Sequence, residues 1–282
     1  MKFPGRYGRE RLVVYAHFPG PDMIDIHSHP LPGVDDGARS FEVAVAMCRI
    51  AAEDGITHLV ATPHSNYSYK FDPDLNRQLR AELQEKVGER PKLLLGCDFH
   101  LSYDNIQICA QNSKDFTINQ TSYLLVELPD QFIPDHLGRV YYDIQVAGLK
   151  PIITHPERNP LLQRKPDLLA EWVSIGCLVQ ITAQSYTGGF GSHARKFSER
   201  WLDAGLVHFF ASDAHDVKRR PPLLSGCYRK VAKAKGAEVA DLLLQKNPEA
   251  VINGLPLPPQ PDWSEGRGDG GKRSWFSFLM GR

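Results

Sequence analysis

Short apolar runs alternate with amphipathic segments along most of the chain from Met23 onward. The runs are rich in Leu, Ile and Val and are apolar on both faces, which is typical of parallel strands covered by helices on both sides. Strands are predicted at Met23–His27, His58–Thr62, Lys92–Asp98, Tyr123–Glu127, Pro151–His155, Cys177–Thr182 and Leu206–Asp213.

The segments between these runs predict helices that end at glycines. Ser40 lies shortly before VAVAMCRIAAEDG, where it can cap a helix that stops at Gly55. The segments LLAEWVSIG, from Leu168, and ARKFSERWLDAG, from Ala194, end in the same way. The repeated strand and helix predict an α/β fold, a distorted TIM-like (β/α)7 barrel, with an open doubly wound sheet as the alternative.

The two ends of the chain differ from this pattern. Residues 1–22 are interrupted by proline and glycine and precede a second methionine, Met23, so we expect this extension to be disordered or not translated. Residues 255–282 begin with LPLPPQPDW and end in a basic, aromatic tail, which predicts a disordered linker; docking of the tail on a partner or a membrane surface is the alternative. One folded domain is therefore predicted at residues 23–254.

Charge and cysteine content exclude several classes of protein. The 33 basic and 33 acidic residues cancel, so no overall field attracts nucleic acid, and no nucleic-acid partner is expected. The five cysteines include no C-x-x-C pair, which suits reduced thiols and argues against a structural zinc site. No apolar run is long enough to cross a membrane. A soluble, cytoplasmic protein is therefore expected.

Groups that bind metals well stand at the ends of nearly all the predicted strands. In a β/α barrel these ends open onto one face, so that side chains far apart in the sequence converge there. The residues are His27, His29, His64, Asp98, Glu127, His155, Asp213 and His215, and Asp35 and Asp36 follow in the first loop. A lone histidine at a strand end is usually a packing residue, but groups at six of the seven strands predict a metal centre.

The ligand types indicate the metal and the reaction. Imidazole and carboxylate groups without a thiolate favour manganese, iron, zinc or magnesium. Eight or nine such groups are too many for one ion and imply two or three ions, which can promote hydrolysis at phosphorus. Arg158 and Arg220 follow strand ends and have the fork geometry that matches phosphate oxygens, although pairing with a surface carboxylate is the alternative for each.

Five motifs together resemble a known family. They are HSH at His27–His29, DDGA at Asp35–Ala38, TPH at Thr62–His64, THPER at Thr154–Arg158, and SDAH with RPP at Ser212–Pro222, and they are similar to the PHP (polymerase and histidinol phosphatase) family. Within it, residues 23–254 resemble the bacterial capsule and exopolysaccharide protein-tyrosine phosphatases. The resemblance implies a (β/α)7 barrel with a trinuclear metal site, usually supplied with Mn²⁺. It also implies dephosphorylation of the tail of a bacterial tyrosine kinase that controls polysaccharide export, with peripheral membrane association through that kinase.

The resemblance also implies roles for individual residues. The metal ligands of the family fall on His27, His29, Asp36, His64, Asp98, Glu127, His155, Asp213 and His215. Its phosphate-binding arginines fall on Arg158 and Arg220, and these two, with Asp213 and His215, are the predicted catalytic residues. One position departs from the family, because Asp98 stands where a glutamate usually bridges two ions. Aspartate is one methylene shorter, so bridging requires the backbone or the ions to shift.

The predicted mechanism is direct attack by a metal-bridging hydroxide, without a phosphoenzyme. A cysteine-based tyrosine phosphatase is excluded, since no arginine stands six residues after any of the cysteines. The alternatives are a small-molecule phosphomonoesterase of the same family, such as a histidinol-phosphate phosphatase, and a non-catalytic scaffold of the polysaccharide machinery. A metal-dependent nuclease is a third, against which the lack of a basic stripe in the sequence argues.

Overall fold

The computed structural model describes residues 22–102, 105–106, 109, 111–129, 133–134 and 136–261. The expectations for residues 1–21 and 262–282 lie outside this part of the chain. Residues 255–261 pack against the folded domain: the hydroxyl of Tyr123 donates a hydrogen bond of 2.6 Å to the carbonyl of Leu255, and Gln260 pairs with Asn247. The predicted domain boundary at residue 254 stays a prediction.

The described residues contain nine strands, all of which pair in parallel. They are β1 (Met23–Ser28), β2 (Ile56–Ala61), β3 (His64–Ser65), β4 (Lys92–Leu95), β5 (Asp98–His100), β6 (Tyr123–Glu127), β7 (Lys150–Thr154), β8 (Leu178–Thr182) and β9 (Phe209–Ala211). Strands β2 and β3 continue one another along one line, as do β4 and β5. The nine strands therefore occupy seven strand positions around the barrel, which are called staves below: β1, β2 with β3, β4 with β5, β6, β7, β8 and β9. Seven is the number that the sequence predicts.

Two predicted runs differ from the observed strands by three residues at one end. The run Lys92–Asp98 is broken after Leu95, where Gly96 passes so close to its neighbours that a Cβ there would lie 3.3 Å from side-chain atoms of Thr62 and Ile118. The run Leu206–Asp213 is a strand only at Phe209–Ala211. The first part of this run also contacts β8: the side chain of His208 accepts a hydrogen bond from the amide of Val179, and the amide of His208 donates to the carbonyl of Val179. The strand ends before Asp213, which has a left-handed backbone.

The staves close into a barrel between β1 and the segment after β9. The amide of Asp213 donates to the carbonyl of His27, and the amide of His29 donates to the carbonyl of Ala214, both at 2.8 Å. Ser28 and Ala214 form the parallel bridge between these contacts. An open doubly wound sheet would leave the two edges unpaired. The prediction of a TIM-like barrel is therefore confirmed.

Helices follow the staves and cover the outside of the barrel. The described α-helices are Phe41–Glu53, Pro73–Val87, Leu137–Val146, Pro160–Arg164, Asp167–Ser174, Ala183–Thr187, Gly191–Asp203, Ser225–Lys235, Ala237–Asp241 and Asn247–Ile252, with a π-helix at Leu242–Lys246 and 3-10 turns at Ser113–Asp115, Ile118–Gln120 and Pro156–Arg158. Ser40 caps the first helix as predicted, since its Oγ accepts a hydrogen bond from the amide of Val43. Across the part of the chain described here, no helix combines the length and the apolar character needed to cross a membrane.

On several strands, neighbouring positions belong to two separate hydrophobic clusters. Leu125 of β6 and Phe209 of β9 belong to a cluster built mainly from strand residues, which fills the barrel. Val126, the next residue of β6, belongs with Trp201 to a larger cluster between the strands and the helices. None of the predicted ligands belongs to either cluster, and polar side chains such as Asp98 are buried at the carboxyl end of the barrel. The core therefore holds the staves in place without using the predicted ligands.

Candidate metal centre

The structure brings all nine predicted metal ligands to the carboxyl end of the barrel. Most lie at or just beyond the end of a strand, one lies in the loop after β1, and His64 and Asp98 begin the short strands β3 and β5. They are His27 and His29 from β1, Asp36 from its loop, His64 from β3, Asp98 from β5, Glu127 from β6, His155 after β7, and Asp213 and His215 after β9. Residues separated by almost the whole domain therefore share one site.

Seven of these residues form three overlapping groups in the described part of the chain. The groups are His29, Asp36, His64 and His215; His27, His29 and Asp98; and His64, Asp98 and Glu127, and the ligand atoms of each group lie within 4.8 Å of one another. His29, His64 and Asp98 each belong to two groups. This overlap is the arrangement that neighbouring, bridged ions require.

The other two predicted ligands border these groups. Nε2 of His155 lies 3.7 Å from a carboxylate oxygen of Glu127. Oδ1 of Asp213 lies 3.6 Å from Nε2 of both His27 and His29. His155 and Asp213 also have left-handed backbones, with φ of 33° and 52°. Such conformations are uncommon outside glycine and cluster at functional sites, where they aim side chains.

Three histidines have one ring nitrogen occupied by a protein acceptor. Nδ1 of His27 lies 2.9 Å from Oε1 of Gln180, and Nδ1 of His29 lies 2.7 Å from Oδ2 of Asp35. Nδ1 of His215 lies 3.0 Å from the carbonyl two residues before it. Assigning the ring proton to Nδ1 leaves Nε2 of each histidine with a free lone pair for a metal ion.

Two of these supporting residues have roles that the sequence analysis did not predict. Gln180 is missing from the predicted site, although a glutamine inside the apolar strand β8 with no exposed surface is a signal for a buried polar role. Asp35 stood with Asp36 as a loop carboxylate, whereas the structure places it behind His29. It also accepts hydrogen bonds from the amides of Gly37 and His64, so it fixes the loop itself.

The site concentrates negative charge among its histidines. Burial lowers the pKa of His27, but the attraction of Asp98 and Asp213 outweighs burial and raises that pKa to about 9. Burial likewise opposes protonation of His64, but the carboxylates of Asp36 and Asp98 raise its pKa to about 11. Carboxylates that hold protons on imidazoles so firmly provide the field that a divalent cation satisfies.

Two buried polar atoms at the middle of the site show whether the site fits a metal ion. Oδ2 of Asp98 and Nδ1 of His64 lie 3.2 Å apart, are buried, and make no hydrogen bond within the described residues. Buried polar atoms of this kind are costly unless a partner satisfies them. Both atoms belong to the group that also contains Glu127. The donor set and these orphaned atoms fit a bound cation.

The two predicted phosphate-binding arginines converge on Asp213. Arg220 donates a hydrogen bond of 2.6 Å from Nη2 to Oδ2 of Asp213, and Arg158 donates from Nη1 to the same oxygen. Burial raises the pKa of Asp213, but Arg158, His27 and the other cations around it hold that pKa well below its usual range. Both arginine side chains keep about a quarter of their surface exposed, 23% and 25%. They lie at the rim of the centre, within reach of a ligand from solvent.

A closed parallel barrel with overlapping histidine and carboxylate groups at its carboxyl end defines a metal-dependent hydrolase. The model of the family described as "Capsular polysaccharide synthesis, CpsB/CapC" matches residues 23–253, and the chain belongs to this family. The predicted resemblance to the capsule-type tyrosine phosphatases is thereby confirmed.

The chain is similar to two named relatives over most of its length. It is 35% identical to the tyrosine-protein phosphatase YwqE of Bacillus subtilis, covering 85% of this chain and 96% of that protein. It is 33% identical to the putative tyrosine-protein phosphatase CapC of Staphylococcus aureus, covering 91% of this chain and the whole of that protein.

Two solved structures resemble the fold. One belongs to a set of crystal structures of YwqE from Bacillus subtilis and CpsB from Streptococcus pneumoniae, described as unique metal-dependent tyrosine phosphatases. It has a TM-score of 0.79 at 35% sequence identity, and the match covers 85% of this chain and 99% of that chain. A phosphotriesterase homology protein from Escherichia coli has a TM-score of 0.57 at 11% identity, covering 83% of this chain and the whole of its own. The second likeness concerns the barrel alone.

Proposed function

We propose that the barrel hydrolyses phosphotyrosine by direct attack of water on phosphorus, with metal ions held at the carboxyl ends of its strands. The chain is a metal-dependent tyrosine-protein phosphatase of capsular polysaccharide synthesis. The observation that carries the proposed mechanism is the position of Arg158 and Arg220, which meet on one oxygen of Asp213 beside the three ligand groups.

The nine residues of the centre would hold two or three ions. Their mixed imidazole and carboxylate donors favour manganese, with iron, zinc and magnesium as the alternatives. When bound, the ions lower the pKa of coordinated water and neutralise charge on the phosphate oxygens. Oδ2 of Asp98 lies 3.5 Å from Nε2 of His27 and 3.2 Å from Nδ1 of His64, which supports a bridging role despite the short side chain.

The arginines would bind the phosphate group of the substrate. A guanidinium presents two parallel N–H groups that match two phosphate oxygens. Arg158 follows β7 and Arg220 follows β9, so the two arginines approach the centre from either side of β8. Asp213 draws both side chains toward the ligand groups, so its carboxylate serves the arginines through one oxygen and faces His27 and His29 with the other. The two forks would thus hold the phosphorus atom beside the ions.

Nucleophilic attack by a cysteine is not part of this mechanism. All five cysteines are buried. Burial raises the pKa of the Cys48 and Cys177 thiols to about 12, so neither forms the thiolate that would attack phosphorus at neutral pH. Water is therefore the proposed nucleophile, and no phosphorylated residue forms.

We infer that the substrate is the phosphotyrosine tail of a bacterial tyrosine kinase. Family membership ties the chain to capsular polysaccharide synthesis, and the partly exposed arginines suit a phosphate carried on a flexible segment. The enzyme would act in the cytoplasm and reach the membrane only through that kinase. The balanced charge of the chain favours no nucleic-acid partner.

The decisive experiment compares two substrates on one purified sample. Turnover of a phosphotyrosine peptide and of histidinol phosphate should be measured with and without a chelator, after loading with manganese. We expect turnover of the peptide that the chelator abolishes. A preference for histidinol phosphate would identify a small-molecule phosphomonoesterase instead, and no turnover of either substrate by metal-loaded protein would identify a scaffold. Trapping a phosphorylated residue during turnover would contradict direct attack.

A further inference from the structure

One aromatic ring lies against both arginines of the site. The guanidinium carbon of Arg158 is 4.9 Å from the centroid of the Phe190 ring, and that of Arg220 is 5.6 Å from the same centroid. Arg158 follows β7, Phe190 follows β8 and Arg220 follows β9, so three successive staves contribute one residue each. The ring of Phe190, which lies on the segment after β8, therefore connects the segment that carries Arg158 with the segment that carries Arg220.

The turn that carries Phe190 is built to hold it there. Phe190 lies between helix Ala183–Thr187 and helix Gly191–Asp203, and the glycines at 188 and 191 have φ of 104° and 89°, which other residues rarely adopt. Gly189 packs so closely on Gln184 that a Cβ there would lie 2.4 Å from its Cγ. Gln184 in turn donates a hydrogen bond of 2.8 Å to the carbonyl of Arg219, next to Arg220.

The contacts of the two arginines explain what the ring adds. Arg158 and Arg220 carry like charges, and one carboxylate, Asp213, attracts both of them. The electron-rich face of an aromatic ring attracts a cation without carrying a charge of its own. A ring in contact with both guanidinium groups therefore limits their rotamers without reducing the positive charge that a phosphate group meets.

We propose that Phe190 is a positioning residue that fixes Arg158 and Arg220 in the orientation that receives the phosphate group of the substrate. The inference rests on the proposed function, because it takes the two arginines to be the phosphate-binding forks. It assigns Phe190 no contact with the reacting atoms. Its removal should therefore weaken the binding of phosphate without changing the metal content.

The test compares Phe190→Leu with Phe190→Tyr in the full, manganese-loaded chain. The leucine variant loses the ring, and we expect kcat/KM for a phosphotyrosine peptide to fall about 3- to 30-fold. The inhibition constant of inorganic phosphate should rise by a similar factor, because phosphate alone probes the arginine forks. The tyrosine variant keeps the ring and should retain both values within about twofold.

Phe197 offers a matched control. It is half-buried like Phe190, lies in the following helix, and packs against Trp201 with ring centroids 5.4 Å apart. Phe197→Leu should lower thermal stability and leave phosphate inhibition unchanged. Equal losses of phosphate affinity in Phe190→Leu and Phe197→Leu would show a general packing effect and overturn the inference.

A double-mutant cycle separates this inference from the proposed function. In an Arg158→Ala/Arg220→Ala background, adding Phe190→Leu should cost no further efficiency, because the groups that the ring positions are gone. If the arginine pair costs nothing by itself, the proposed function fails and the inference fails with it. Two outcomes would overturn the inference alone. In the first, the double arginine variant loses catalytic efficiency while Phe190→Leu keeps that of the unmodified chain. In the second, Phe190→Tyr loses as much efficiency as Phe190→Leu.

Discussion

Asp35 accepts a hydrogen bond of 2.7 Å from Nδ1 of His29, whereas its neighbour in the sequence, Asp36, faces the ligand atoms directly. Oδ1 of Asp36 lies 3.3 Å from Nε2 of both His64 and His215. Two adjacent carboxylates therefore have different tasks: one orients a histidine and the other stands among the ligands.

This division predicts unequal effects of mutation. Asp35→Ala should lower metal affinity about 10- to 100-fold while full activity returns at high metal concentration, since only the support of His29 is lost. Asp36→Ala should lose activity that added metal does not restore. Titration of the chelated proteins with manganese, followed by phosphatase assay, measures both. Identical metal-response curves for the two variants would contradict the division, and Asp35→Asn, which keeps an acceptor oxygen, should lie closer to the unmodified chain than Asp35→Ala.

The paired histidines of β1 provide a test of the metal centre as a whole. His27→Ala/His29→Ala removes residues from two of the three ligand groups but touches neither hydrophobic cluster. We expect activity and bound metal to be lost while the helical circular dichroism signal stays nearly unchanged. Elemental analysis of the purified protein checks the first point. Full activity in the double variant would remove the metal hypothesis.

Arg158→Ala and Arg220→Ala should each lower the efficiency toward phosphotyrosine by about one to three decades, at about 1.4 kcal/mol of lost transition-state stabilisation per decade. Metal content should stay the same, because neither arginine belongs to a ligand group. Steady-state kinetics with a phosphotyrosine peptide gives the loss. Arg139→Ala is a suitable control, since Arg139 is exposed and pairs only with Asp143 of its own helix among the ion pairs of the described residues. Normal efficiency in both site variants would place the arginines outside substrate binding.

Much of this site could be predicted from the sequence because of one physical rule. Strand ends of a parallel barrel share a face, so His64 and Glu127 could be placed together without coordinates. The rule does not separate Asp35 from Asp36, because one residue of backbone in a loop decides which carboxylate turns inward. The rule also does not identify Gln180 and Phe190, because it selects metal-binding side chains at strand ends. Gln180 lies inside an apolar strand, and Phe190 lies in a turn and does not bind metal.

The fold shows the same division between what a pattern predicts and what packing decides. The seven staves follow from the alternation of apolar runs and helices, and each predicted run overlaps an observed strand. The interruption after Leu95 does not follow from it; at Gly96 an added Cβ would lie 3.3 Å from side-chain atoms of Thr62 and Ile118, which belong to distant segments of the chain. Contacts between residues distant in the chain decide where such breaks occur, and the local hydrophobic pattern does not predict these contacts.

Asp98 gives a prediction about the bridging position. Its Oδ2 belongs to the buried atoms without a hydrogen bond, and it lies 3.2 Å from Nδ1 of His64. Asp98→Asn removes the negative charge and should sharply lower both metal occupancy and rate. Asp98→Glu supplies the glutamate that the sequence resemblance implies at this position and should retain or improve both. Wild-type metal content and turnover in Asp98→Asn would show that this carboxylate bridges no ions, and the site would then hold fewer of them.

The last prediction concerns stability rather than catalysis. His208 directly precedes β9 and is not one of the predicted metal ligands. Its Nδ1 accepts a hydrogen bond of 3.2 Å from the amide of Val179. Burial lowers the pKa of His208 to about 4, so the folded chain keeps this ring neutral at a pH where the unfolded chain, with a pKa of about 6.5, takes up a proton. The unfolded state then binds more protons than the folded state.

The stability that the neutral His208 ring contributes is therefore complete above pH 6.5 and declines as the pH falls toward 4. Between pH 7.5 and pH 5 the decline from this residue should be at most about 2 kcal/mol. Urea unfolding of the metal-free chain at a series of pH values measures it. His208→Asn keeps an acceptor for Val179 but does not titrate, so its free energy of unfolding should fall less steeply with acid. Parallel pH curves for the two proteins would show that His208 is protonated equally in both states and would refute the prediction.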